Sequence, residues 1–433
     1  MGGGIFSTFR NAWRVEDIRR KIFFTLFAVL IFRLGTHVPV PGISSVAFNE
    51  LLGKLGQLGS FLNIFSGGAL NQVSILSLGI QPYINASIIM QLLVVIIPAL
   101  QTLQDEGESG RKKIQKYTRY FAIVLALVMS FFYWNATKVA AINALPAWLN
   151  AFVVIFSFTA GSAFIMWLAE QINKRGIGNG TSIIIAIGII SRIPYTVQLL
   201  WRSVSAWRLG GGSILPAILM VIAVIAFFVF IIGLVVYIST SERRIPVQYA
   251  KKVIGRKVYG GQSSYLPIKV NQSGVLPVIF AVSVLMMPST IAGMTGGTGK
   301  VAQFFLNFNQ HVSYYIVYAL MILGFTFFYS SISFNPVDIS KNLQKNGGFI
   351  PGIRPGKPTS DYIKASANKL SWFEALFLTI VVLLPTILSF ATGTSQALWF
   401  GGTGVMIIVG VALDMVNQLE AQLMMRHYKG FLD

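Results

Sequence analysis

The sequence predicts an all-α membrane protein with ten transmembrane helices arranged as two inverted five-helix halves. Three observations predict it. Of 433 residues, 54% are hydrophobic and 11% charged, whereas a soluble domain carries roughly a quarter charged residues. Such a chain cannot cover itself with a polar surface, so lipid is its solvent, and in lipid only helices or closed barrels satisfy their own backbone. The second observation is ten apolar windows of near-helical-span length without strand-like alternation, at about 22–38, 74–98, 118–137, 151–171, 182–200, 214–238, 273–292, 313–333, 373–392 and 399–419. The third is the distribution of charge between alternate loops.

Each element follows in order. The first window comes after the amphipathic stretch Phe6–Trp13 and a basic cluster, and ends at Pro39 and Pro41 without a small-x-small pattern, so it reads as a retained span. The stretch Ser60–Val73 is too broken by Gly and Ser to span. Spans two to five follow, and a loop over 201–213 separates an N-terminal half, 1–200, from a C-terminal half, 214–433. Within the latter lie two polar loops, 239–272 and 335–370. Five spans on each side of 201–213 give the halves opposite orientation, as in an inverted repeat. With ten spans, both termini lie on one face with Arg10, Arg14, Arg111, Lys112, Arg243, Arg244, Lys251, Arg256, Lys341, Arg354 and Lys357. The other face keeps few cations, among them Lys54, Lys138, Arg202 and Arg208. The positive-inside rule makes the first face cytoplasmic.

The spans hold little chemistry. Arg33, Glu170, Arg192, Glu374 and Asp414 are expected near helix ends, where long side chains reach the interface. Phosphate-binding and dinucleotide glycine patterns and the His-Glu-x-x-His zinc pattern are missing, histidines number 3 and cysteines 0. No cofactor, metal or catalytic residue is therefore expected, and the chain is not read as an enzyme. Isoleucine is abundant instead: Ile80, Ile84 and Ile88, and likewise Ile183 and Ile187, recur every four residues and share a helix face. Such stripes serve either as ordinary core and lipid-facing surface or as an apolar constriction that blocks ions by dewetting.

In loop 239–272, β-branched and aromatic residues at Ile245–Tyr249 and Val258–Leu266 predict a protruding basic hairpin. Its net positive charge, within a chain of net charge +20, suits RNA or an acidic protein surface, or reflects topology alone. In loop 335–370, the stretch Gly347–Gly356 sets Gly and Pro around Arg354, a rigid presentation of one guanidinium.

Five tracts resemble the SecY family of protein-conducting channels: Phe65–Leu70, Gly79–Gln91, Arg175–Gly180, Glu242–Tyr249 and Gly348–Gly356. They occur in the family's order and span most of the chain. The resemblance implies a central hourglass pore with a lateral gate, passing unfolded secretory polypeptides across the membrane and membrane proteins sideways into lipid. It implies a pore ring of Ile80, Ile84, Ile183, Ile187, Ile279 and Ile407, and a plug over about 61–73 that includes Phe61, Phe65, Gly67, Gly68 and Asn71. Gln91 and Asn271 become lateral-gate contacts, and Arg243, Arg244, Arg256 and Arg354 docking residues. The implied partners are SecE, SecG, the SecA motor ATPase, the ribosome, signal-bearing polypeptides and membrane lipids, in a bacterial cytoplasmic membrane. A solute transporter with inverted repeats and a ribosome-recruiting scaffold are the competing readings. The uncharged spans and large basic loops disfavour the transporter.

Overall fold

The computed structural model describes residues 10, 12–46, 48, 66–137, 146–194, 197–198, 201, 214–249, 252–254, 257–259, 263–294, 299–308, 311–392 and 401–429. The helices are α1 (Glu16–Gly35), α2 (Gln81–Ile96), α3 (Pro98–Asp105), α4 (Glu108–Thr137), α5 (Ala147–Arg175), α6 (Gly180–Ile190) and α7 (Ile214–Thr240). They continue with α8 (Leu276–Met294), α9 (Lys300–Leu306), α10 (Val312–Ser333), α11 (Pro336–Lys345), α12 (Lys357–Thr392) and α13 (Gly401–Lys429). Strands are β1 (Glu242–Tyr249), β2 (Lys252–Ile254), β3 (Lys257–Tyr259), β4 (Ser263–Lys269) and β5 (Gly348–Phe349).

Each expected span overlaps a helix. Among the described residues six helices are long and apolar enough to cross a membrane, or seven if α2 and α3, bent by 98°, count as one. The others are α1, whose first two turns carry Glu16, Asp17, Arg19, Arg20 and Lys21, and the shorter α6 and α8.

Three expectations need correction. The second span is not one helix over 74–98: residues 66–79 form turns, and α2 begins only at Gln81. Gly67, Gly68, Gly79 and Val73 all have positive φ there, while Pro82 in the first turn lacks an N–H that would be unpaired anyway. Ile80 is thus the residue before the helix rather than part of its stripe, and the chain breaks again at Ile97, driven extended by Pro98. The loop 335–370 is also largely helical. α11 fills 336–345, and α12 starts at Lys357 because Thr359, Ile363, Ala367 and Ser371 bury one face at four-residue spacing beneath a lysine-rich exterior. As a consequence Glu374 lies in mid-helix, not at a helix end.

The chain divides into two compact units, Met1–Ala217 with Ser283–Tyr314 and Val411–Asp433, and Ile218–Val282 with Tyr315–Gly410. In the first unit α2 packs along α4, and α4 along α5. Between α4 and α5 the Ser130 and Thr159 hydroxyls lie 3.0 Å apart, and Arg119 pairs with Glu170 at 2.7 Å. A Cβ on Gly161 would lie 1.8 Å from the Ile75 carbonyl, so glycine there lets the turn segment lie directly on α5. Val40, Ile43, Phe48, Leu70, Val73, Leu78, Met129, Val154 and Phe158 form one buried cluster around it. The tract Arg175–Gly180 links α5 to α6 with several of its main-chain N–H groups held by side chains. Ile177 N–H donates to Thr25 Oγ1 (3.1 Å), Gly178 N–H to Gln418 Oε1 (2.8 Å) and Gly180 N–H to Asn173 Oδ1 (2.7 Å), and Asn179 caps α6.

In the second unit the expected hairpin forms with its second strand moved: β1 pairs antiparallel with β4 at 263–269, Ile245 opposite Leu266, and not with one run over 258–266. The short ladder of β2 with β3 lies between them in sequence. β1 also pairs with β5, so the two polar loops share one sheet, ordered β4-β1-β5. Alternation along β1 turns Ile245 and Val247 inward onto Ile268, Leu343, Ile350 and Ile363, a core belonging to strands and helices of both loops.

Candidate functional site

The positive φ of Gly67 (+66°) and Gly68 (+88°) folds the chain after Ser66 into a tight turn. A Cβ on Gly67 would lie 3.1 Å from Gly188 Cα and 3.4 Å from the Phe32 ring. The turn is tied down from both neighbours. Arg33 Nη1 of α1 donates to the Gly67 carbonyl at 2.9 Å, and Ser191 Oγ, just after α6, reaches the same oxygen at 3.3 Å. Ser77 Oγ donates to Ala69 O (3.0 Å) and Ser74 Oγ to Gly35 O (2.7 Å). A hydrogen bond from a charged donor is worth about 1.5–3 kcal/mol, so Arg33 is the strongest single tie. Beside it lies a cavity of 160 Å³ lined by Arg33, His37, Asn71, Ser191 and Arg192 among others. Arg33, expected simply to reach the interface, is engaged with the main chain. Phe61 and Phe65 lie outside the described residues.

In the first unit Ile80, Ile84 and Ile183 are buried, and Ile187 is partly buried. Ile84 and Ile88 remain on one face of α2. In the second unit Ile279 of α8 and Ile407 of α13 are buried. Gln91 bonds Ser87 of its own helix at 3.2 Å, and Asn271 Nδ2 donates to Ser239 Oγ at 3.1 Å.

The basic sheet holds three of the four arginines foreseen as docking residues; Arg256 lies outside the described residues. Arg243 is exposed at the start of β1, and Arg354 is exposed on the β5–α12 turn, where Thr359 Oγ1 holds its carbonyl at 2.8 Å. Neither forms an ion pair among the described residues. Arg244 differs: Glu242 accepts from its Nε at 2.8 Å and the Tyr265 ring lies 4.7 Å beneath it. The Glu242 hydrogen bond, aided by Tyr265, raises its pKa further above an already high value. It is charged at any working pH, with one edge already occupied.

A site the sequence reasoning missed lies at the turn into α8. Glu374 is fully buried and accepts hydrogen bonds from Gln272 N–H (3.1 Å), Ser273 N–H (2.9 Å) and the Ser273 hydroxyl. Ser330 Oγ of α10 lies 2.5 Å from Ser371 Oγ and 3.2 Å from Gln272 Oε1. The signal was a lone acid inside an apolar window, which marks a functional position by default; placing it at a helix end concealed it.

Comparison with known proteins bears on this arrangement. The SecY family model matches residues 74–416. The protein translocase subunit SecY of Halalkalibacterium halodurans is 43% identical over 439 residues, which cover 99% of this chain and 100% of that protein. Among solved structures, one described as "The structure of a protein conducting channel" has a TM-score of 0.66 at 20% identity, covering 93% of this chain and 92% of the other. Sec61 in the canine ribosome-channel complex from the endoplasmic reticulum gives 0.58 at 19% identity, covering 93% and 92%.

Proposed function

The chain belongs to the SecY family, and on that footing we propose how its parts divide the work of a protein translocase. It is a multi-pass membrane protein with the SecY fold, ten helices in two inverted halves, and serves as a protein-conducting channel rather than an enzyme. Residues 1–200 and 214–433 form the halves, joined by 201–213, of which 202–213 lie outside the described residues. Ile80, Ile84, Ile183, Ile187, Ile279 and Ile407 supply the apolar constriction. The burial of all but the partly buried Ile187, on or beside apolar stretches, supports this, because a passing polypeptide must meet a surface that neither binds it nor conducts ions. The turn at Gly67, Gly68 and Asn71 belongs to the plug, and Gln91 and Asn271 to the lateral gate.

The observation that carries the docking role is the sheet β4-β1-β5, which fuses the two basic loops into one exposed platform with Arg243, Arg244 and Arg354. Its charge suits the phosphates of ribosomal RNA or an acidic face of a motor protein. The ribosome and SecA are the partners that use it, with Arg256 contributing. SecE and SecG complete the complex, and SecA supplies the ATP hydrolysis. The membrane is the bacterial cytoplasmic membrane, with both termini and the platform on the cytoplasmic side, as the charge bias supports. Reconstituted with SecE, SecA and ATP in liposomes, the chain should carry a presecretory protein into the lumen. Failure to do so in an assembled complex overturns the proposal.

A further inference from the structure

Glu374 has no place in conduction or docking, yet it is a carboxylate held at 0% exposure within an apolar helix. A buried carboxylate persists only where donors replace its water. Here the donors come from one short segment, residues 270–275, which joins β4 to α8. Ser241 O accepts from Val270 N–H at 3.0 Å, so the ladder of the docking sheet runs up to this segment. Gly274 follows with φ of +65°, a conformation glycine adopts without strain, and α8 starts two residues later. Glu374 thus grips the joint between the basic platform and the helix that carries Ile279.

The joint is not fully satisfied in this setting. Asn271 Oδ1 and Gln272 Nε2 are buried with no hydrogen-bond partner among the described residues. Buried polar groups are nearly always paired, so two orphans side by side mark a segment with unused bonding capacity that a different setting of the joint would use. The groups bonded to Glu374 are neutral, Gln272 N–H and Ser273 N–H and hydroxyl, and Gln272 Oε1 is in turn held by Ser330 of α10, which also meets Ser371. No cation pairs with it among the described residues. Its hold is therefore a set of directional hydrogen bonds, which a small rotation of the segment would break together.

We propose that Glu374 is a positioning residue, a latch that keeps the 271–274 turn and α8 in the resting setting until load on the β4-β1-β5 platform pulls the turn free. This rests on the channel reading above. The test is the resting ion conductance of the full reconstituted complex in planar bilayers. E374Q keeps the volume but aims an amide N–H₂ at donors, and S273A removes the hydroxyl donor alone. Both should assemble like the parent, and both should raise resting conductance, E374Q by roughly threefold to tenfold and S273A by less, as loss of one or two hydrogen bonds shifts a two-state population. A complex lacking residues 61–73 is the control. If it leaks and assembled E374Q and S273A conduct like the parent, the latch is wrong and the channel stands. If E374Q does not assemble, S273A alone decides in the same way. If the plug-deleted complex does not leak, the channel reading and the latch fall together.

Discussion

Two non-helical turns, one in each unit, lead into helices that carry the buried Ile84 and Ile279, and they are held in opposite ways. The turn at Gly67 is held by donors: Arg33 and Ser191 reach its carbonyl. The turn at Ser273 is held by an acceptor: Glu374 collects two main-chain N–H groups and a hydroxyl. Backbone that leaves a helix within a membrane must find partners for whichever groups the turn strands, carbonyls in one case and N–H groups in the other. A charged side chain answers each need because charge-assisted hydrogen bonds are the stronger kind. The settings differ as well. Arg33 borders a polar cavity where solvent can take over its role, whereas Glu374 is sealed. The carboxylate tie is therefore expected to be the harder to replace.

The comparison can be sharpened first by an effect that spares both turns. Arg354→Glu should abolish SecA-driven translocation of a presecretory protein while leaving assembly and resting conductance at parent values. A leak in this variant would show that the platform does more than dock. Glu374→Leu should come next, lowering the thermal stability of the detergent-solubilised complex by roughly 3–5 kcal/mol, because it leaves several buried donors unpaired at once. Arg33→Met should weaken the Gly67 turn by about 1.5–3 kcal/mol, seen as raised resting conductance, with Arg33→Lys intermediate. If Arg33→Met proves more damaging than Glu374→Leu, the argument from sealing is wrong. Gly67→Ala forces a side chain into the left-handed region and against Gly188, a loss of roughly 1–2 kcal/mol, again read as leak. Ser191→Ala removes a long hydrogen bond and should shift conductance least, reflecting about 0.5 kcal/mol.

Much of this was legible residue by residue. Val312–Ser333 and Ile214–Thr240 declare themselves as helices because no charged residue interrupts them. Ile245–Tyr249 reads as a strand because it is rich in β-branched and aromatic residues, and the structure forms β1 there. The start of α12 was not legible, since Thr359, Ile363 and Ala367 are spaced for a helix yet sit among lysines that suggest a loop. The onset of α2 was missed for the converse reason: Ser74–Ile80 is apolar enough to span, but the positive φ of Val73 and Gly79 and the placement of Pro82 start the helix later. Glu374 stands at the start of its apolar window and so reads as a helix-end residue, whereas α12 begins at Lys357 and leaves it buried in mid-helix.

The sequence by itself determined that lipid is the solvent, where the spans fall and where positive charge collects, because these depend on composition and on spacing along the chain. Only the tertiary structure decided that β1 pairs with β5 across about 100 residues of chain, that Arg33 reaches a carbonyl 34 positions on, and that Glu374 meets Ser273 at a separation of 101. Hydrogen bonds between distant segments depend on which backbone groups each turn strands, and no local pattern encodes that.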